Sequence, residues 1–184
     1  MFKKLLSKIS KELEKRKIPY MVIGGQAVLL YGEPRLTKDI DITLGISHKK
    51  LSEIESLSKK LKLRVLVENP KDFIKQTMVL PVEDEKTGIS VDFIFSFSEY
   101  EKQAIKRANP VKMLNTHVNF ASLEDMVIHK IIAGRPRDLE DAETILLKNP
   151  NYDEKYIKKW LNKFDNSLQK NFSKTFLKIS KSFR

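Results

Sequence analysis

The chain has 184 residues, of which 41% are hydrophobic and 32% are charged, a composition typical of a soluble globular protein of one domain, or of one domain with a small helical addition. It contains no cysteine, which excludes disulfides and thiolate metal sites and leaves the redox compartment open. No apolar run approaches the roughly 20 residues of a membrane span. The first residues also lack the unbroken apolar stretch of a signal peptide. We therefore predict a cytoplasmic protein.

The net charge of +11 is concentrated at the two ends of the chain. Residues 1–17 hold seven Lys/Arg and two Glu, a net +5, and residues 151–184 hold nine Lys/Arg and three Asp/Glu, a net +6. The residues between them are neutral overall. Basic ends of this kind can attract nucleic acid by neutralising phosphates. They can equally be the solvated faces of surface helices.

The first part of the chain predicts helices and strands in mixed order. Apolar residues at positions 2, 5, 6, 9 and 13 predict an amphipathic helix over 2–17. The elements predicted after it are a strand in 18–25, a short helix in 25–32, a strand in 39–46, a helix in 47–61 and strands near 63–67, 77–82 and 89–95. Ser47 is the predicted N-cap of the 47–61 helix.

The last third of the chain predicts helices. Ser122 and Asp125 resemble a capping box, and Gly134 suits the end of the helix that they begin. A second helix follows the proline at 136, and the tail carries apolar residues mostly four apart, which predicts one or two more helices. The fold class is therefore α+β (mixed α/β). We expect an α/β core over 1–121 and a helical C-terminal region over 122–184 packed on it.

Two aspartates stand in the middle of a predicted strand, "DIDITL". Residues two apart share one face of a strand, so Asp39 and Asp41 point the same way while Ile40 and Ile42 face the core. Two adjacent carboxylates repel each other unless a cation joins them. Ligation by oxygen alone suits Mg²⁺ or Mn²⁺, which proteins typically hold with one or two carboxylates and substrate phosphates.

A third carboxylate, Asp92, interrupts the apolar run "ISVDFIFSF". Val91 and Phe93 line one face of that strand, and Asp92 projects from the other. If this strand neighbours the first, Asp92 completes a cluster of three carboxylates. Such a cluster can hold two cations about 3.5–4 Å apart for displacement at phosphorus. The alternative is that Asp92 is a surface residue of an edge strand.

A glycine pair, Gly24 and Gly25, follows the first predicted strand and opens the next helix. Glycine lets the backbone approach a phosphate, and the amides at a helix N-terminus favour an anion. Thirteen residues separate Gly25 from Asp39, enough for a short helix and a returning loop. The pair could also form a tight turn that binds no ligand.

The glycine pair, the Asp39-Ile40-Asp41 motif and Asp92, in this order and spacing, resemble the nucleotidyltransferase fold of the DNA polymerase beta superfamily. "RLTKDID" followed by "HKIIAGRPRDLEDA" resembles its abortive-infection-type nucleotidyltransferase branch, which includes toxins of toxin–antitoxin systems. The match runs from about residue 18 to 147. The chain departs from many relatives at Gln26, where they carry serine, so the way in which the γ-phosphate is held stays open. The fold that the resemblance implies is a mixed β-sheet flanked by helices.

The resemblance implies an enzyme that moves a nucleoside monophosphate from an NTP to an acceptor hydroxyl and releases pyrophosphate. Asp39 and Asp41 would bind two Mg²⁺ (or Mn²⁺) ions, and Asp92 would bind the catalytic ion and help to draw the proton from the acceptor. The residues predicted to contact the nucleotide are Gly24, Gly25, Gln26, Arg35, Lys38, Lys130, Arg135 and Asp138. We expect the acceptor to be RNA, at the 3′ end of a tRNA, and an antitoxin protein to be a candidate partner.

Several alternatives stay open at this point. The acceptor can instead be a small hydroxylated compound of the aminoglycoside kind, or the domain can bind NTP or RNA without turnover. Arg35 and Lys38 can belong to a solvated loop, Lys130 can be a surface lysine, and Asp138 with Asp141 can simply favour a helix N-terminus. The aromatic residues of the tail are four apart, which favours packing into a core over stacking on bases.

Overall fold

The computed structural model describes residues 1–34, 36–96 and 98–182. Within them the helices are α1 (Phe2–Lys15), α2 (Gly24–Tyr31), α3 (Leu51–Leu61), α4 (Pro70–Thr77), α5 (Glu99–Lys106), α6 (Leu123–Ala133), α7 (Pro136–Lys148), α8 (Glu154–Leu168) and α9 (Phe172–Lys181). The strands are β1 (Tyr20–Ile23), β2 (Asp39–Leu44), β3 (Leu63–Val65), β4 (Val79–Asp84), β5 (Ser90–Phe95), β6 (Asn109–Met113) and β7 (Thr116–Phe120). The mixed α/β class is as predicted.

The chain forms two compact units. The first unit consists of Met1–Gln26 and Leu36–Ala121, and the second consists of Ala27–Arg35 and Ser122–Arg184. The second unit therefore takes in residues 27–35 in addition to the helical region that the sequence predicts.

The first unit is built on a mixed sheet whose strands lie in the order β3-β4-β5-β2-β1-β7-β6. β2 lies antiparallel to β1 and parallel to β5, and β5 lies antiparallel to β4. β4 and β5 alternate in burial because one face of the sheet is packed against the core of this unit. Ile40, Ile42, Val91 and Phe93 lie on that face, and each is at most 1% exposed.

The second unit has its own apolar core. Ser122 caps α6, since its Oγ accepts a hydrogen bond from the Asp125 amide at 3.2 Å, and Gly134 ends the helix with a positive φ of 66°. Both features match the sequence prediction. Trp160 of α8 and Phe176 of α9 are 4% and 0% exposed, so these aromatics of the tail pack inward as the spacing favours.

The structure also contains elements that the sequence pattern does not predict. A short 3-10 turn, His48–Lys50, precedes α3, and Ser47 caps that turn rather than the α-helix itself. The other additions are α4, α5, β6 and β7. The β6–β7 hairpin turns at Leu114, whose φ is +53°, a conformation that a sequence normally signals with Gly or Asn. In the described ranges no helix is both long and apolar enough to cross a membrane.

Candidate functional site

The three predicted aspartates lie on neighbouring strands of the first unit. β2 and β5 pair in parallel with Asp41 directly beside Asp92, and Asp39 beside Ser90. Since alternate residues share a face, all three carboxylates project from the face opposite Ile40 and Phe93. The structure thus brings Asp39, Asp41 and Asp92 together on one side of the sheet.

The surroundings of Asp92 make its negative charge costly. Partial burial raises the pKa of Asp92 above its ordinary value, and repulsion from the Asp39 carboxylate raises it further. The repulsion means that the two carboxylates interact across the strand pair. A cation held between them would remove the repulsion and lower the pKa of Asp92.

The donor set fits a divalent metal in its chemistry. Carboxylate oxygens on adjacent strands are ligands that Mg²⁺ and Mn²⁺ accept, and after burial the second cause of the raised pKa of Asp92 is its repulsion from Asp39. The side chains are nevertheless spread: across residues 1–34, 36–96 and 98–182, no three His, Asp or Glu side chains gather closely enough to hold an ion. Closing the cluster on a metal would therefore require the carboxylates to rotate towards each other.

Gly24 lies against one of these carboxylates. It begins α2 with a φ of +65°, and a Cβ built on it would lie 1.8 Å from Oδ2 of Asp41. A side chain at this position would therefore collide with Asp41 and would also strain the backbone. The glycine thus leaves room for the carboxylate, a role that the sequence does not predict. Its predicted contact with a phosphate is a separate function of the same residue.

The remaining predicted nucleotide contacts of the first unit differ in exposure. Gln26 in α2 is 8% exposed and Gly25 is buried, whereas Lys38 is exposed immediately before β2. Thr37 donates a hydrogen bond from Oγ1 to the backbone carbonyl of Asp39 at 3.2 Å and so braces the start of the strand. Arg35, another predicted contact, lies outside the described residues.

The strand register places further polar residues beside the aspartates. Arg64 of β3 pairs with Glu83 of β4, Glu83 pairs with Ser90 of β5, and Ser90 pairs with Asp39 of β2. All four side chains share the face of the carboxylates. Arg64 donates to Glu83 at 2.7 Å. Sequence spacing could not find this row because strand order and register bring it together.

In the second unit, Lys130 is held by two carboxylates. Its Nζ lies 2.7 Å from Oδ1 of Asp138 and 2.9 Å from Oδ2 of Asp141, and the lysine is 5% exposed. Lysine has three donors, and these contacts use two of them. Lys130 is therefore buried and paired, unlike the surface lysine that the sequence left as the alternative. Its predicted contact with nucleotide phosphate stays a prediction.

Asp138 is the centre of this charge network. Burial alone would raise the pKa of its carboxyl, but hydrogen bonds from Arg135 and Lys130 outweigh burial and hold the pKa below its ordinary value. Asp138 therefore remains ionised and pairs with both cations. The Arg135 side chain is 77% exposed, so it reaches solvent while it contacts the buried aspartate. Whether Arg135 or Asp138 also contacts a nucleotide stays a prediction.

Comparison with known proteins identifies the family. The profile described as "Nucleotidyltransferase of unknown function (DUF6036)" matches residues 1–175, which is nearly the whole chain. The chain belongs to this nucleotidyltransferase family. It is therefore an enzyme of the kind that transfers a nucleoside monophosphate from an NTP. A search of curated proteins finds no sequence match.

Solved structures share the fold at low sequence identity. The antibiotic-resistance factor ANT(2″)-Ia in solution is 17% identical, has a TM-score of 0.62 and matches over 91% of this chain and 92% of its own. ANT(2″)-Ia in complex with adenylyl-2″-tobramycin is 18% identical and has a TM-score of 0.54. The match covers 99% of this chain and 96% of that protein. The lincosamide antibiotic adenylyltransferase LnuA, bound to lincomycin, is 14% identical and has a TM-score of 0.50. The match covers 72% of this chain and 89% of that protein. These likenesses confirm the predicted nucleotidyltransferase fold.

Proposed function

We propose that the sheet face that carries Asp39, Asp41 and Asp92 is the site of metal-dependent transfer of a nucleoside monophosphate to an RNA hydroxyl. Asp39, Asp41 and Asp92 would hold Mg²⁺ or Mn²⁺, and the bound ion would supply positive charge against the charge that develops on the phosphates. The support for this part is the placement of three carboxylates on one face, with the pKa of Asp92 raised by burial and by Asp39.

In the proposed reaction the acceptor oxygen forms a bond to the α-phosphorus of the NTP, and the bond from that phosphorus to pyrophosphate breaks. The proton of the acceptor hydroxyl passes to the carboxylate of Asp92. The amides at the start of α2, around Gly24 and Gly25, are suited to bind the phosphates.

The observation that favours RNA as the acceptor is the arrangement of exposed lysines on helices. In α1 of the first unit, Lys4, Lys8, Lys11 and Lys15 are all exposed and recur about once per turn. They form one continuous basic face along the whole helix. Such a face can neutralise successive phosphates of a polymer, whereas a small acceptor needs an enclosed pocket.

The second unit repeats this arrangement. Lys155, Lys159 and Lys163 are exposed along α8, and Lys163 Nζ lies 4.4 Å from the centre of the Trp160 ring. In α9, Lys174 and Lys178 are exposed one turn apart. Each helix buries its apolar side and turns its lysines outward. Both basic ends of the sequence thus become basic helix faces, which supports an RNA substrate.

The test is to incubate the protein with labelled NTPs, Mg²⁺ and total tRNA at a series of salt concentrations. We expect label on RNA and an affinity for RNA that falls steeply with salt, because bound phosphates release counterions. Lys155→Glu with Lys159→Glu should weaken RNA binding and spare NTP binding. The matched control is Lys102→Glu with Lys106→Glu, which changes charge equally on the mixed-charge helix α5. Equal losses in both variants would contradict a specific RNA face on α8.

A small hydroxylated compound is the second candidate acceptor. The observation that favours it is the shared fold with ANT(2″)-Ia, which was solved with adenylyl-2″-tobramycin, and with LnuA, which was solved with lincomycin. A panel of aminoglycosides and lincosamides belongs in the same labelling experiment. Label on a compound of the panel alone, with turnover insensitive to salt, would replace the RNA proposal by this one.

The resemblance to the abortive-infection-type branch adds a biological proposal. If the enzyme modifies tRNA as a toxin, its expression should arrest growth, and an antitoxin protein should relieve the arrest. Growth with the wild-type chain and with Asp41→Asn tests this directly. Arrest by both proteins would show that growth inhibition does not depend on transfer.

A further inference from the structure

The row of polar side chains described above leads from the aspartates to the edge of the sheet. From β2 outward it consists of Asp39, Ser90, Glu83 and Arg64, one from each of four adjacent strands. Neighbouring strands lie about 4.8 Å apart, so the backbone of Arg64 is about 14 Å from that of Asp39. None of the four residues is buried, so the row is open to a ligand along its length.

The charges of this part of the face are acidic except at one end. Arg64 is the only basic residue in the sequences of β2, β3, β4 and β5. The other charged side chains that these strands place on the face are Asp39, Asp41, Asp92 and Glu83. Within these strands, Arg64 is therefore the one group of this face that attracts an anion.

The guanidinium of Arg64 is held in place and keeps donors for a ligand. Its Nη2 donates to Oε1 of Glu83 at 2.7 Å, which uses one of its five N–H donors. The side chains of Arg64 and Glu83 are 63% and 29% exposed, and an exposed pair of this kind adds little to stability. The pair thus presents a fixed guanidinium to solvent on the face of the aspartates.

We propose that Arg64 binds a backbone phosphate of the RNA acceptor, close to the hydroxyl that reacts. Arginine binds phosphate through two parallel N–H···O bonds, and the contact with Glu83 keeps its guanidinium on this face. The reacting hydroxyl lies at the aspartates, and the polymer continues over Ser90 and Glu83 to Arg64. This inference rests on the proposed RNA acceptor and adds the residue that binds its backbone.

Binding of a fluorescent single-stranded oligoribonucleotide to the full chain, at several salt concentrations, tests the contact without turnover. Arg64→Gln should weaken binding about tenfold, because it removes a charge-assisted hydrogen bond to phosphate. It should also reduce the slope of log Kd against log salt by about 0.7, the value for one phosphate contact on a single strand. Arg64→Lys should keep the slope, because its charge remains.

Lys75 of α4 provides the matched control in the same unit. Its side chain is 66% exposed and pairs with Asp72 at 3.3 Å, so Lys75→Gln removes an equally exposed, equally paired charge. It lies on a helix and not in the row, so this variant should leave both the affinity and the slope unchanged. Thermal unfolding should show that both glutamine variants keep the fold, because the substituted side chains are exposed.

Labelling of total tRNA with Mg²⁺ present then separates acceptor binding from catalysis. Arg64→Gln should raise the KM for tRNA and leave kcat and the KM for NTP unchanged, because Arg64 lies away from the reacting phosphorus. An equal rise in the KM for NTP would assign Arg64 to the nucleotide and overturn the inference.

The outcomes distinguish this inference from the proposed function. A wild-type chain that neither binds nor labels RNA would remove both. If wild type labels RNA but Arg64→Gln and Lys75→Gln bind it equally well, the RNA acceptor stands and the Arg64 contact is wrong. A slope reduced in Arg64→Lys as much as in Arg64→Gln would also overturn the contact, because the charge would then not be what binds.

Discussion

Oδ2 of Asp41 occupies the position in which a side chain on Gly24 would begin, 1.8 Å from a Cβ built on that glycine. Gly24 also has a φ of +65°, which costs any other residue about 1–2 kcal/mol. We therefore predict that Gly24→Ala displaces the Asp41 carboxylate and lowers the rate of nucleotidyl transfer. The measurement is pyrophosphate release at saturating NTP, together with thermal unfolding.

Gly88 provides the matched control for this substitution. Its φ is +67°, but a Cβ built on it meets no atom within 4 Å. Gly88→Ala should therefore show the backbone cost of about 1–2 kcal/mol alone and keep its activity. If the two alanine variants lose equal stability and equal activity, the contact between Gly24 and Asp41 does not matter.

Asp92 gives a prediction on pH and stability. Its folded pKa lies above the ordinary value of 3.8, so the folded protein binds more protons than the unfolded chain between these two pKa values. The free energy of unfolding should then decrease as pH rises through that window, and the loss remains at higher pH. Asp92→Asn removes this cost. In the metal-free state it should unfold at a higher temperature than wild type at neutral pH, with no gain below pH 3.8.

Mg²⁺ should reverse the order of the unfolding temperatures of wild type and Asp92→Asn. Added Mg²⁺ should raise the unfolding temperature of wild type, because a ligand that binds the folded state stabilises it, and should have less effect on Asp92→Asn. The apparent Mg²⁺ affinity of wild type should increase with pH through the raised pKa of Asp92. A metal-free Asp92→Asn variant less stable than wild type at neutral pH would contradict the repulsion between Asp39 and Asp92.

The buried lysine of the second unit gives a prediction on stability. Lys130→Met removes the cation between Asp138 and Asp141 and leaves buried negative charge, which typically costs about 3–5 kcal/mol. Chemical denaturation measures this cost. Lys158→Met is the control, since its partial exposure and its helical pair with Glu154 predict a loss of about 0.5 kcal/mol or less.

The same variants separate two roles of Lys130. If it also binds nucleotide phosphate, Lys130→Met should weaken NTP binding under conditions in which the protein remains folded, as calorimetry would show. Unchanged NTP binding together with a large loss of stability would leave Lys130 as a purely structural residue.

The sequence was most informative where a residue type conflicts with its local pattern. Asp39, Asp41 and Asp92 interrupt apolar strands, and alternation alone assigns each of them to the face opposite the core. The strand pairing that joins them, with Asp41 beside Asp92, could only be assumed, because register depends on contacts between distant segments. The row from Arg64 through Glu83 and Ser90 to Asp39 was missed for the same reason.

Other features could not be predicted because their signals are non-local or weak. The sequence predicts nucleotide contacts for Lys130 and Asp138, with a surface lysine and helix N-terminal acids as the alternatives. It does not predict that Lys130 pairs with Asp138 and Asp141, because they meet only where α6 and α7 pack together. α4 buries one apolar residue, Ile74, so its sequence carries little helical periodicity. The close approach of Gly24 and Asp41 is likewise a tertiary contact.

If carboxylates of β2 and β5 hold a metal that drives nucleotidyl transfer, Asp41→Asn should remove the transfer without unfolding the protein. The measurement is Mg²⁺-dependent pyrophosphate release from NTPs, with tRNA and the aminoglycoside and lincosamide panel as acceptors, on protein whose fold is verified by circular dichroism. Asn preserves the shape beside Gly24 and removes the charge, so we expect the rate to fall by about a hundredfold or more. A variant as active as wild type, or a wild-type rate unaffected by EDTA, would show that transfer does not depend on a metal at these carboxylates.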